Sequence, residues 1–175
     1  MKLPSPRAAL LLACLPLLPG CNDPISPRDE LNDARRRWQE QGATTYAYAI
    51  TRSCECLPEY TRKAWVQVVD GTVTAAHFFP DFTPVPPAIV AGYPTVDDLF
   101  DMVEQALEMS PKPDILVVRY DPRYGYPTRF ELDPDVDVGD DERAIYASDL
   151  TTVRTLPGTT IARITRITRI RRNAS

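Results

Sequence analysis

The stretch that most constrains this chain is Tyr46–Cys56, which reads Tyr-Ala-Tyr-Ala-Ile-Thr-Arg-Ser-Cys-Glu-Cys. Its strict alternation predicts a β-strand. Tyr46, Tyr48, Ile50, Arg52, Cys54 and Cys56 share one face, and Ala47, Ala49, Thr51, Ser53 and Glu55 share the other. Aromatic and aliphatic residues at every second position mark a core strand. This one runs straight into a cysteine pair. The later segments read as a sheet and one helix assembled against it.

Ahead of that strand, Ser26-Pro27-Arg28-Asp29 is a helix start, with Ser26 as N-cap, Pro27 in the first turn and Asp29 as the capping-box carboxylate. Leu31, Ala34, Arg35 and Trp38 form one stripe and Gly42 stops the helix. The run Arg35–Arg37 reads as a solvated face. After the strand, Ala64–Val69 and Thr72–Phe79 flank Asp70-Gly71, a two-residue hairpin signal. Counting back from that turn pairs Val68 with Val73, Val66 with Ala75 and Ala64 with His77, and so places His77 on the core side. Pro80–Pro94, with five prolines, reads as a stiff, extended loop. Thr95 and Asp98 cap a second helix whose stripe is Val96, Leu99, Phe100, Val103, Ala106 and Leu107. Ile115–Tyr120, Thr128–Asp133 and Ala144–Leu150 read as three more strands. The predicted fold is α+β: a mainly antiparallel sheet of about six strands, one helix packed on it and an N-terminal helix.

The ends of the chain carry a different signal. Lys2 and Arg7 precede the apolar run Ala8–Leu18, which is too short to span a bilayer at about 20 residues, and Leu18-Pro19-Gly20-Cys21 follows. This is the pattern of a secretory leader, and its last four residues resemble the lipobox of bacterial lipoproteins. The resemblance implies cleavage before Cys21 and acylation of its thiol. Residues 1–20 are then a signal peptide, 21–25 a tether, 26–153 one α+β domain and 154–175 a basic low-complexity tail. Removing the leader takes two of the 20 basic residues and none of the 24 acidic ones, which leaves a net charge of −6. An acidic body argues against nucleic acid as a partner. The tail, with Ile-Thr-Arg repeated at period three, suits neither a helix face nor a strand face and could touch anionic headgroups.

Tyr46-x-Tyr48, Cys54-x-Cys56, the Val-rich hairpin, Thr95-Val96-x-x-Leu99-Phe100 and Tyr120-Asp121-Pro122-x-Tyr124-Gly125-Tyr126-Pro127 together resemble a group of bacterial lipoproteins known only as a domain of unknown function. The likeness runs from about Tyr46 to Leu150. It implies an envelope location and a single small domain, with no activity or substrate attached. Asn22 after Cys21 resembles the proteobacterial sorting signal that favours the outer membrane, facing the periplasm.

Four groups of residues are site candidates. Cys54 and Cys56 are the two thiols left once Cys14 is removed and Cys21 acylated, and export makes a disulfide between them feasible. On a regular strand their Cα atoms stand ~6.5–7 Å apart, so a bridge requires the strand to bend or end there. The same thiols could serve redox chemistry or, with His77, a soft metal. Phe82 and Tyr93 from the proline loop, with Tyr120, Tyr124 and Tyr126, could line an aromatic binding surface or simply pack. Asp133–Glu142 is rich in carboxylates but departs from a calcium loop, having Val138 where the glycine belongs and Ala144 where the glutamate belongs. No catalytic constellation or cofactor motif stands out. The expected function is that of a lipid-anchored, non-enzymatic binding or structural module that requires no cofactor. The alternatives are a thiol redox or metal-handling protein and an inhibitor of an envelope hydrolase.

Overall fold

A computed structural model describes residues 24–152. Cys21, the leader and the basic tail lie outside the described residues. The elements run α1 (Pro27–Gln41), β1 (Tyr46–Ser53), α2 (Pro58–Thr61), β2 (Ala64–Val69), β3 (Thr72–Phe78), α3 (Pro87–Val90), α4 (Val96–Glu108), β4 (Ile115–Tyr120), β5 (Pro127–Asp133) and β6 (Arg143–Thr152). The six strands form one sheet in the order β3-β2-β1-β6-β5-β4, antiparallel at every pairing. The expected α+β class holds, and β1 and β6 sit at the sheet's centre.

Both long helices begin on local chemistry, and α1 ends on it. The Ser26 Oγ accepts from the Asp29 N–H at 3.1 Å, and Gly42 closes α1 at φ 58°. Thr95 and Asp98 form a reciprocal capping box at the start of α4. Leu31, Ala34 and Trp38 of α1 and Val96, Leu99, Phe100, Val103 and Ala106 of α4 are buried in one core with Tyr46, Tyr48 and Ile50 of β1. Each large side chain taken out of water there contributes ~1.5–3 kcal/mol. Between the helices, Arg28 and Arg35 of α1 both reach Glu104 of α4, at 2.7 and 2.9 Å, and Arg35 also reaches Asp101. The arginine run is therefore not simply a solvated face: Arg35 ties α1 to α4 and lies over the Phe100 ring.

The tyrosines of β1 do more than fill space. The Tyr46 hydroxyl accepts the Val96 N–H at 2.8 Å, and the Tyr48 hydroxyl donates to the Pro94 carbonyl. The central strand thus holds the entry of α4. Burial pushes the Tyr46 hydroxyl up to about 12 and raises Tyr48 further, so both stay protonated hydrogen-bonding groups.

Two expectations need correction. A bulge at Gln67/Val68 shifts the β2–β3 register, so that Val66 pairs with Ala76, Trp65 with His77 and Ala64 with Phe78. A one-residue slip exchanges the faces of a strand. Ala76 and Phe78 are therefore buried, and His77 stands beside Trp65 on the outer face. The proline segment is not extended throughout. Pro87 opens the single helical turn of α3, and Thr83–Val85 runs along β3, with the Phe78 N–H bonded to the Thr83 carbonyl and the Val85 N–H to the Ala76 carbonyl, both at 2.9 Å.

Candidate functional site

The least regular part of the core is the end of β1. The strand stops at Ser53, the Cys56 N–H turns back onto the Cys54 carbonyl at 2.9 Å, and the two cysteine Cα atoms close to 5.3 Å. Their sulfurs are joined in a disulfide. The bend is what makes this feasible, because a regular strand would hold the pair at ~6.5–7 Å. The neighbouring Glu55 and Cys56 are exposed.

Next to this bend lies Arg52, which sequence reasoning passed over. Its Nε donates to the Tyr60 carbonyl of α2 at 3.2 Å, and a terminal guanidinium nitrogen donates to the Gly92 carbonyl at 2.9 Å. The guanidinium carbon lies 4.4 Å from the centre of the Tyr93 ring and 5.7 Å from that of Tyr60. One arginine thus ties the end of β1 to α2 and to the proline segment, by two charge-assisted bonds and two cation–π contacts worth ~0.5–2 kcal/mol each. Its other terminal nitrogen and the Tyr93 hydroxyl are buried without a protein partner. Burial raises the Tyr93 hydroxyl above its ordinary value, against the opposing pull of Arg52 and then Arg62. A signal was present in the sequence: Arg52 is the cation on an otherwise apolar strand face.

The five aromatic candidates are not brought together. Phe82 is 39% exposed and joins a corner cluster in which ring centres lie 5.1 Å apart for Phe79–Phe82 and 6.4 Å for Trp65–Phe79. Tyr93 is buried under Arg52. Tyr120 stacks on Phe100 with ring centres 6.3 Å apart, Tyr126 is buried, and Tyr124 closes the turn whose amides Asp121 accepts at 2.6 and 2.8 Å. Phe82 follows β3 and Tyr120 ends β4, the two opposite edges of a six-stranded sheet, so about 24 Å of strand spacings separates them. A single aromatic surface made of all five is excluded.

The metal trio fares no better. Register places His77 opposite Trp65, which lies opposite Ala49, whereas Cys54 stands five residues further along β1 and Cys56 beyond it. That is roughly 15–20 Å of separation. The cysteines are also bonded to each other. Among the described residues no group of three or more His, Cys, Asp or Glu side chains is placed to hold a metal. In the acidic loop, the amides of Val136 and Asp137 donate to carboxylates, to Asp114 ahead of β4 at 3.1 Å and to Asp135 within the loop at 3.0 Å. Burial, then the charges of Asp141, Glu142 and Asp114, raise the Asp133 carboxyl.

On the outer face of the sheet, Arg129 grips Glu131 in a fork at 2.7 and 2.8 Å, and Tyr146 donates to the same carboxylate. Arg129 and then Tyr146 hold Glu131 below the usual carboxylate range. The group is internally satisfied, and it sits on a face where Tyr146 is 42% exposed.

Neither a curated protein nor a solved structure matches the chain. The model of a family of unknown function, DUF6174, matches residues 30–152, from inside α1 to the last residue of β6. That span contains the disulfide bend, Arg52, Gly125 and the whole sheet, and on it the chain belongs to DUF6174.

Proposed function

We propose that this chain is a bacterial lipoprotein of the cell envelope, held by acyl chains on Cys21, and that its folded domain is a non-catalytic binding or structural module. The observation that carries the reading is the spacing between the lipobox-like cysteine and the first cap of the fold. Ser26 stands five positions after Cys21, and it is the N-cap of α1. An extended tether of that length spans at most ~17 Å. The acyl chains would therefore hold the start of α1 against the headgroups. Each buried methylene adds ~0.8 kcal/mol, and more than one chain makes the anchor stable. Asn22 supports delivery to the outer membrane, facing the periplasm.

Several polar groups of the domain are engaged in structure, which supports a non-catalytic role. Tyr46 and Tyr48 hold the entry of α4, Arg52 binds two carbonyls, and Glu131 binds Arg129 and Tyr146. Mass spectrometry of the mature N-terminus, with fractionation of Cys21→Ser, tests the anchor. The expected result is a chain that starts at Cys21 with diacylglycerol attached, and a serine variant lost from the membrane fraction. An unmodified Cys21, or a serine variant that stays in the membrane, would sink the reading.

A further inference from the structure

We propose that β4 is a self-pairing edge and that two copies of this chain join there, antiparallel, to make one continuous sheet of twelve strands. The two edges of the sheet are treated differently. On β3, the backbone of Ala76 and Phe78 bonds to Thr83–Val85, so the proline segment covers that edge. On β4, β5 is the only neighbouring strand among the described residues. Its sequence, Ile-Leu-Val-Val-Arg-Tyr, is rich in β-branched and apolar residues, none of them fully buried, and Ile115 is 43% exposed. An edge of this kind presents unpaired backbone donors and acceptors in strand geometry and is a template for another strand. A groove of about 310 Å³ runs beside it, lined by Val118, Arg119 and Tyr120 and by Ile25, Glu30, Asp33 and Arg37 across the way.

The occupant is a second copy because the edge complements itself. A two-fold axis through Val117, perpendicular to the sheet, keeps inner faces with inner and outer with outer. It sets Val117 against the partner's Val117, Leu116 against the partner's Val118, and Ile115 against the partner's Arg119. Within one copy, Arg119 lies directly opposite Arg129, a like-charge pair that a sheet disfavours. Ile115 lies opposite Asp133, one of whose carboxylate oxygens is buried without a partner. In the pair, the partner's Arg119 stands two strand spacings from Asp133, about 10 Å between backbones. A long arginine leaning across Ile115 covers that gap to reach the acid. The arrangement brings Arg119 of each copy, whose own cross-strand neighbour Arg129 is already held by Glu131, toward an acid of the other at both ends of the joint, and it does not depend on the lipid anchor.

Cysteine cross-linking of the full chain tests the register under mild oxidation, with the unsubstituted chain giving the background from its own cysteines. Val117→Cys sits on the axis and is expected to form a symmetric disulfide dimer. Ile115→Cys alone and Arg119→Cys alone place their thiols ~14 Å from their own copies and are expected to cross-link roughly fivefold less, because a bridge needs Cα atoms within ~7 Å. Chains carrying Ile115→Cys mixed with chains carrying Arg119→Cys are expected to cross-link to each other. Background-level dimer for Val117→Cys would overturn the proposal and leave the edge to some other strand. Equal dimer for all three single variants would also overturn it, as would a mixture that behaves like its components.

Discussion

Replacing Gly125 by Ala should be the most damaging single-methyl change in this domain. Gly125 sits in the turn between β4 and β5 at φ +85°, and a Cβ built there would lie 2.2 Å from the Ala34 carbonyl oxygen, 2.9 Å from the Arg37 Cβ and 3.1 Å from the Ala34 carbonyl carbon. The nearest obstacles belong to the backbone of α1, so no side-chain rotamer relieves them. Ordinary contact begins at 3.4 Å, so the turn and α1 must part by about 1 Å, in a core that otherwise packs Leu31, Ala34 and Trp38 tightly. The left-handed backbone costs a side chain ~1–2 kcal/mol, and overpacking adds ~1–3 kcal/mol. Gly42→Ala is the control, since Gly42 also has positive φ but has nothing within 4 Å of its Cβ position. It should cost only the backbone share, ~1 kcal/mol. Thermal unfolding followed by circular dichroism on the full chain should show Gly125→Ala lowering Tm by roughly 8–20 °C and Gly42→Ala by about 4 °C. Equal shifts would refute the close approach of the turn to α1.

Tyr46→Phe should cost ~1–3 kcal/mol, because it leaves the buried Val96 N–H without its 2.8 Å acceptor; urea unfolding checks this, and a neutral result would remove β1 as the holder of α4. Arg52→Met should cost a similar ~1–3 kcal/mol and speed hydrogen exchange in Pro58–Thr61 and Ala91–Tyr93, while leaving the Tyr46–Ile50 amides protected; unchanged exchange in the two loops would show that Arg52 does not tie them. Arg35, and then Arg28, hold the Glu104 carboxyl below its ordinary value. A depressed folded value contributes stability above the unfolded value and loses it as pH falls through the folded one. The Tm deficit of Glu104→Gln should therefore be present at neutral pH and close on acidification below the ordinary glutamate range. A deficit that persists in acid would assign the effect to packing.

What the sequence made legible was whatever neighbours within a turn decide. Ser26 with Asp29, Thr95 with Asp98, and Gly42 carry their own hydrogen-bonding logic, and both long helices begin or end where those residues place them. The alternation of Thr128, Phe130 and Leu132 with charged residues likewise placed one wet and one buried face on β5, with Phe130 and Leu132 buried. The β2–β3 register failed for a different reason. A bulge inserts one residue according to how the strand meets its neighbours, and nothing in Ala75-Ala76-His77 distinguishes the two phases, since two small residues precede the histidine. The turns α2 and α3, each opened by a proline, are too short to show a period at all.

The site was less legible because strand order is not written in any one segment. Phe82 and Tyr120 belong to opposite edges only because β6 returns to pair with β1 and carries β5 and β4 outward on its far side. Had β4 paired with β3, the same tyrosines would have faced the proline segment, and the sequence would read identically. Arg52 is the instructive contrast. It occupies the position on β1 where alternation demands a core residue, and the structure resolves the conflict by covering its guanidinium with Tyr93 and Tyr60 and giving it two carbonyls. A cation on a core face needs partners that lie elsewhere in the chain. The useful question at such a position is which distant carbonyls and rings are free to meet it. Here the answer joins β1, α2 and the proline segment at one point, beside the bend after β1 that the cysteines bridge.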